Sequence, residues 1–172
     1  DAQITALETA IHHVAQDSTI ATTVASIPGF GPICTAELAG EIGTVTRFQQ
    51  ESSLALYLGM ATLDNSSGTR HGSKPPKQVN TRAKAAMMTA VDRHRKSVPE
   101  SQQYYEKKRR AGKSHNQAIR ALGRHMCRIM YRLLKDERPY KIRAGEADTT
   151  SHVASSSLRV GQRRRAKKLA PA

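Results

Sequence analysis

The stretch from Ser114 to Lys135 carries the longest regular apolar pattern of the sequence. Apolar residues recur there at every third or fourth position, which places them on one face of an α-helix. Ser114 and Gln117 have the spacing of a capping box, in which a hydroxyl and an amide satisfy free backbone N–H groups where a helix begins. The pattern therefore predicts the longest helix of the chain, with an apolar face made of Ala118, Leu122, Met126, Ile129 and Leu133.

Shorter helical patterns cover most of the chain before this stretch. One stripe is typical both of a coiled coil and of an ordinary bundle helix, and it consists of Ile4, Leu7, Ile11 and Val14. Further helices are predicted over residues 19–25, from Pro32 to Gly43, over residues 52–59 with Ser52 or Ser53 as the cap, after Asn80 as an N-cap, and from Pro99 to Gly112. No segment has the pattern of a strand. We expect an all-α fold, a compact helical domain with a helix-hairpin-helix-like element.

Two segments lack a helical pattern. Residues 60–80 are rich in Ser, Gly, Asn and Pro, and such a stretch predicts a long central loop that is either functional or disordered. The residues after about Glu137 have few apolar positions and contain a run of basic residues. This composition predicts a disordered basic C-terminal tail.

Positive charge is concentrated in the second half of the chain. The sequence has 28 Lys and Arg against 14 Asp and Glu, a net charge of +14. Residues 1–65 have a net charge of −6, whereas residues 66–135 have a net charge of +15. A domain this basic usually binds a polyanion. We therefore expect the partner surface in the second half.

The two cysteines and the seven histidines do not form a metal-site pattern. Cys34 and Cys127 match neither a disulfide framework nor a zinc spacing, so buried free thiols in a reducing cytoplasm are expected. The histidines lack a ligand spacing, and no carboxylate cluster suits two-metal chemistry. No apolar run is long enough to span a membrane. The chain begins with Asp1 rather than Met, and we expect it to be part of something longer.

The sequence Ile27-Pro28-Gly29-Phe30-Gly31 predicts a tight turn between two short helices. In a helix-hairpin-helix arrangement, such a turn lets backbone N–H groups at a helix N-terminus contact a phosphate, and glycines permit the close approach. The alternative is a plain helical turn without a ligand. The acidic residues Glu37 and Glu41 nearby count against phosphate binding.

Basic residues stand four apart on the predicted long helix, at Arg120, Arg124, Arg128 and Arg132. Like charges at this spacing repel, so a ladder without interleaved acids is typical of a phosphate-binding face. A solvated basic face is the alternative. Tyr104 and Tyr105 precede it and could stack on bases, although at least one is expected in the core. The residues predicted to contact nucleic acid are Gly29, Gly31, Arg70, Lys74, Lys77, Arg82, Lys107, Lys108, Arg109, Arg110, Lys113, Arg120, Arg124 and Arg128.

The central loop contains two serines before a glycine, Ser66-Ser67-Gly68. A serine there, beside Arg70 and His71, could attack a phosphodiester while the cations stabilise the charge on phosphorus. Ordinary turn composition is the alternative. The sequence contains no cofactor-binding loop and no acid–base pair of the kind that would indicate a small-molecule enzyme.

The order of these elements resembles the C-terminal domain of the IS110-type insertion-sequence transposases (the IS116/IS110/IS902 type), which are bridge-RNA-guided recombinases related to pilin-gene invertases. The matching landmarks are SIPGFGPICTAELAGEIG, TRFQQESSLALYLGM, the Ser66-Ser67-Gly68 loop, NTRAKAAMMTAV, YYEKKRRAGKSHNQAI and ALGRHMCRIMYRLLKD. Together they cover roughly residues 20–136 in the family's order.

The resemblance implies a transposase or recombinase domain that supplies a serine nucleophile for DNA strand exchange. Ser67 holds the nucleophile's position, with Ser66 as the alternative. Mg²⁺ would bind an acidic tetrad in a separate N-terminal ribonuclease-H-like domain, so no cofactor and no metal ligand is assigned to these residues. The implied partners are DNA, a guide (bridge) RNA and further copies of the protein, in the cytoplasm of a bacterium and associated with the nucleoid.

The resemblance also implies a domain order. Residues 1–18 would end a connecting coiled-coil helix, residues 19–136 would form the helical domain, and residues 137–172 the basic tail. The family usually has Gly-Leu-x-Pro before the serine loop, where this chain has Gly59-Met60-Ala61-Thr62. The acidic tetrad is absent from these residues, so the chain alone is expected to be inactive. The alternative function is a non-catalytic nucleic-acid-binding helical module.

Overall fold

The computed structural model describes residues 2–64, 73–74, 76 and 79–141. Of the segments predicted from the sequence, the serine loop from residue 65 to residue 72 and the basic tail from residue 142 onward lie outside the described residues.

Seven α-helices make up the described part of the chain, and the all-α prediction is confirmed. A 3-10 turn links the third and fourth helices. One antiparallel pair of two-residue strands, which the sequence did not predict, flanks residues 65–72 and pairs Leu63 with Lys74 and Asp64 with Ser73. The elements are α1 (Ala2–Gln16), α2 (Thr19–Ala25), α3 (Pro32–Ile42), the 3-10 helix (Val45–Arg47), α4 (Glu51–Tyr57), β1 (Leu63–Asp64), β2 (Ser73–Lys74), α5 (Thr81–Ser97), α6 (Pro99–Arg110) and α7 (His115–Lys135).

Most helix ends follow the sequence signals. The capping box at the beginning of α7 is complete, since the Ser114 hydroxyl accepts from the Gln117 N–H and the Gln117 side chain accepts from the Ser114 N–H. Asn80 caps α5 by accepting from the Ala83 N–H at 3.0 Å. The prediction for α4 was wrong at its beginning, because the helix starts at Glu51 rather than after a serine cap.

The core is built around α7, which packs on α2, α4, α5 and α6. Met126 and Met130 of α7 belong to one buried cluster that also includes Met87 of α5, Leu54 of α4 and Leu38 of α3. Four of the five residues predicted for the α7 face are buried, and Ile129 is partly buried.

Both cysteines are buried free thiols, as predicted. Burial raises the pKa of Cys127 to about 12, so this thiol stays protonated and unreactive at neutral pH.

The first helix, α1, lies on the surface and contacts α2 and α3. It buries no residue completely, and Ile4, Leu7 and Val14 are 58%, 64% and 73% exposed. The coiled-coil interpretation of this stripe stays a prediction. No helix in the described ranges is long and apolar enough to cross a membrane.

The packed region continues past the end of α7. The Tyr140 N–H donates to the Ser26 hydroxyl at 2.8 Å, and the Tyr140 ring lies edge-on to His94 at 6.2 Å between centroids. The sequence placed Tyr140 in the basic tail, but these contacts attach it to α2 and α5.

Candidate nucleic-acid interface

The turn between α2 and α3, which comprises Ile27–Gly31 and is called here the hairpin turn, packs against the last turns of α5. His94 donates from Nδ1 to the Pro28 carbonyl at 2.7 Å, and its ring lies edge-on to Phe30. Burial lowers the pKa of His94, although the Pro28 hydrogen bond opposes this shift. The ring is therefore neutral at pH 7, and it fixes the hairpin turn to α5 without adding charge.

The two glycines of the hairpin turn have different surroundings. Gly29 has φ of +85°, and a Cβ there would lie 2.6 Å from the His94 Cα and 2.8 Å from the Arg93 carbonyl carbon. The missing side chain therefore allows close packing on α5. At Gly31 a Cβ would meet only the Arg93 guanidinium, at 3.2 Å from Nη1. Of the two, only Gly31 lies beside a cationic side chain, where a phosphate could approach.

The acids that follow the hairpin turn are already paired. Arg82 binds Glu37 at 2.7 Å and Glu41 at 3.4 Å. Glu41 also accepts from Asn80. The Arg82 charge is therefore already paired with two carboxylates of the same chain.

The arginine ladder of α7 meets an acid from another helix. Arg128 Nε lies 2.9 Å from the Glu51 carboxylate, and Arg124 Nη2 lies 3.9 Å from it. Glu51 is in the first turn of α4, so the sequence of α7 alone could not show this pairing. Arg120 and Arg132 have no ion pair among the described residues.

Cations from α6 and α7 converge around one histidine. His125 Nε2 and the Tyr104 hydroxyl are 2.9 Å apart, and Lys108 Nζ lies 5.0 Å from the Tyr104 ring centroid. Partial burial lowers the pKa of His125, and the charges of Arg128, Lys108 and Arg124 lower it further. The α6–α7 surface, as we call it, comprises Tyr104, Lys108, Arg124, His125 and Arg128.

The remaining predicted cations of α6 are exposed at its C-terminal end. Lys107, Arg109 and Arg110 have no ion pair among the described residues, and Arg109 donates to the Lys113 carbonyl at 2.8 Å. Cations at a helix C-terminus are favoured by the helix dipole, so these residues stabilise α6 whether or not they bind a ligand.

The second tyrosine of α6 is held between helices. The Arg95 guanidinium lies 4.2 Å from the Tyr105 ring centroid, and the Tyr105 hydroxyl is 2.8 Å from His115 Nδ1. Both tyrosines are partly buried, so stacking of either on a base stays a prediction.

Ser66, Ser67, Arg70 and Lys77 lie outside the described residues. Only the backbone of Lys74 is described, in β2. The chain approaches the serine loop through Met60 and Ala61, whose N–H groups both donate to the Ala55 carbonyl at 2.8 and 3.2 Å. These bonds hold the segment that leads into the loop. The described ranges contain no group of three or more His, Cys, Asp or Glu suited to a metal ion.

Sequence reasoning missed two basic residues of α5, Arg93 and Lys96. Both line a cleft beside the hairpin turn. Their spacing of three was a usable signal, because residues i and i+3 share a helix face.

Sequence comparisons connect this arrangement with mobile-element proteins. Residues 21–106 match the family described as Transposase IS116/IS110/IS902. The chain is 32% identical over 139 residues to the insertion element IS110 uncharacterized 43.6 kDa protein of Streptomyces coelicolor, covering 80% of this chain and 34% of that protein. It is 34% identical over 119 residues to the insertion element IS900 uncharacterized 42 kDa protein of Mycobacterium paratuberculosis, covering 68% and 30%.

A relative with a different description also matches this chain. The pilin gene-inverting protein of Moraxella bovis is 29% identical over 132 residues, covering 73% of this chain and 40% of that protein. The chain thus spans between 30% and 40% of the length of these relatives. Because the family match covers half of the sequence, the chain belongs to the Transposase IS116/IS110/IS902 family.

Proposed function

We propose that this chain is the DNA-binding part of an insertion-sequence transposase and supplies the serine nucleophile for DNA strand exchange. The convergence of Lys108, Arg124 and Arg128 around His125 carries the DNA-binding part of the proposal. Glu51 pairs with Arg124 and Arg128 but not with Lys108, so this surface stays positive, and phosphates would neutralise its charge.

In the proposed chemistry, the Ser67 Oγ attacks a DNA phosphorus and the bond to one deoxyribose oxygen breaks. The serine proton ends on the departing oxygen, so the phosphodiester is exchanged rather than consumed. Reversal by another strand's hydroxyl restores both the serine and a continuous DNA strand. Mg²⁺ in a ribonuclease-H-like domain with an acidic tetrad would stabilise charge on the phosphate. The proposed partners besides DNA are a guide RNA and further copies of the protein, at the bacterial nucleoid.

A trapped adduct tests the nucleophile. A recombination-competent protein that carries this sequence is incubated with its DNA substrate and run on a denaturing gel. Ser67→Ala is expected to abolish the protein–DNA adduct, while the matched Ser66→Ala variant keeps it. The reverse result would assign the role to Ser66, and an unchanged adduct in both variants would reject a serine of this loop.

The second candidate function is a non-catalytic nucleic-acid-binding module. The α6–α7 surface favours this candidate, because all its residues lie outside the serine loop and could bind nucleic acid without the serine. Duplex DNA binding would then be insensitive to Ser67→Ala but weakened in the double variant Arg124→Gln, Arg128→Gln. If log affinity hardly changes with log salt concentration, phosphate binding fails for both candidates.

A further inference from the structure

A cleft of about 470 Å³ lies between the hairpin turn and the last turns of α5. Arg93, Lys96 and Ser97 line its α5 side, and residues 28–31 of the hairpin turn line the other. Arg93 is exposed, lies beside Gly31 and forms no ion pair among the described residues. A free guanidinium therefore faces an open backbone turn.

The same two cations border a second cleft of about 320 Å³, where α5 meets the beginning of α7. Asp92, His115 and Asn116 line this second cleft together with Arg93 and Lys96. Arg93 and Lys96 thus stand on a ridge shared by both clefts. They connect the hairpin turn to the N-terminus of α7 by one basic track.

The charge of this track is incompletely balanced. Asp92 is the single acid lining either cleft in the described part of the chain, and it already binds Arg95 and Lys96 at 2.7 Å each. Arg93 also lies near the Cys34 thiol in the first turn of α3, where its charge opposes the burial that raises the pKa of Cys34. A cation beside a helix N-terminus is unfavourable. An anion placed between them would relieve this repulsion.

The lining residues indicate which anion fits. Among the described residues that line these clefts, the only Phe, Tyr or Trp is Phe30, and it is 5% exposed, so it offers no face on which a base could stack. The other ring, His115, is bonded to the Tyr105 hydroxyl at 2.8 Å. The polar groups that line the clefts include a guanidinium, an ammonium, a serine hydroxyl and an asparagine amide, and side chains of these kinds contact phosphate and sugar. We propose that Arg93 and Lys96, together with the hairpin turn, bind the phosphodiester backbone of duplex DNA.

The proposal rests on the proposed DNA-binding function but uses a surface separate from the α6–α7 surface. Its test compares the full chain with the double variant Arg93→Gln, Lys96→Gln in binding to a fluorescent DNA duplex over a range of salt concentrations. Losing two phosphate contacts should reduce the slope of log affinity against log salt by about 1.8 and weaken binding roughly 10- to 100-fold near 0.1 M salt. Both side chains are exposed, so the thermal midpoint should be unchanged.

Two further variants serve as controls. The double variant Lys135→Gln, Arg138→Gln also removes two positive charges, but these residues belong to neither surface. It should leave the affinity within a few fold of the unchanged chain. Asp92→Asn removes the acid that holds Lys96 and should tighten binding. Equal affinity losses in both double variants would show a net-charge effect and overturn the proposal.

The remaining outcomes separate this proposal from the proposed function. If the unchanged chain does not bind duplex DNA, both are overturned. If it binds and only the double variant Arg124→Gln, Arg128→Gln is weaker, the Arg93 and Lys96 assignment alone fails. A loss seen with an RNA duplex but not with the DNA duplex would overturn the assignment to DNA.

Discussion

Replacing Gly29 with alanine tests whether this glycine serves packing rather than ligand approach. Its φ of +85° belongs to the left-handed region, where a residue with a side chain costs roughly 1–2 kcal/mol. The added Cβ would also lie 2.6 Å from the His94 Cα, a backbone atom that cannot move alone. Overpacking of this kind costs roughly 1–3 kcal/mol.

The net effect is slightly smaller than the sum of these costs. Alanine reduces the entropy of the unfolded chain, which returns roughly 0.4–1 kcal/mol. We therefore expect Gly29→Ala to lower the free energy of unfolding by about 2–4 kcal/mol. For a domain of this size, that corresponds to a fall of roughly 8–16 °C in the thermal midpoint.

The measurement is thermal unfolding followed by circular dichroism at 222 nm, with urea unfolding as a second readout. Gly40→Ala is the matched control, because Gly40 lies in α3 and a Cβ there meets nothing within 4 Å. This control should gain about 0.5–1 kcal/mol from the helix propensity of alanine. If Gly29→Ala were as stable as the unchanged chain, the close packing of the hairpin turn on α5 would be refuted.

Three further predictions concern ionisable groups and a helix cap. Folding lowers the pKa of His94, so the contribution of this residue to stability should be fully present above pH 6.5 and should fall as the pH drops below 6.5. The pH dependence, measured by urea unfolding at pH 5 to 8, should be smaller in His94→Gln. Ser114→Ala should cost about 1 kcal/mol of unfolding free energy in a chemical denaturation series, because the capping box at α7 is lost. Glu51→Gln frees Arg124 and Arg128, so DNA binding measured by fluorescence anisotropy should tighten; weaker binding would argue that Glu51 orients the arginines.

Local patterns predicted the helices well because spacing and caps are local properties. The capping box at Ser114, the Asn80 cap and the apolar face of α7 all depend on residues within a few positions of one another. The predicted beginning of α4 was wrong because it, too, depended on a local pattern, in which Ser52 and Ser53 resemble helix caps. Glu51 is instead the first residue of the helix, and its carboxylate forms an ion pair with Arg128 of α7.

The candidate site depends on contacts between distant parts of the sequence. Gly29 predicts a close approach, but only the fold shows that the approaching group is the backbone of His94. Arg124 and Arg128 look unpaired in their own helix, whereas their acid lies more than seventy positions earlier. Spacing within one helix carries no information on either contact.

The central claim is that DNA phosphates bind the α6–α7 surface, and His125 reports on it directly. Its pKa is lowered by burial and by Arg128, Lys108 and Arg124. Phosphates bound to these cations would offset their charge and raise that pKa. The measurement is an NMR titration of the His125 ring with and without a saturating DNA duplex. The account predicts a higher pKa in the complex, whereas an unchanged pKa with DNA bound would contradict it.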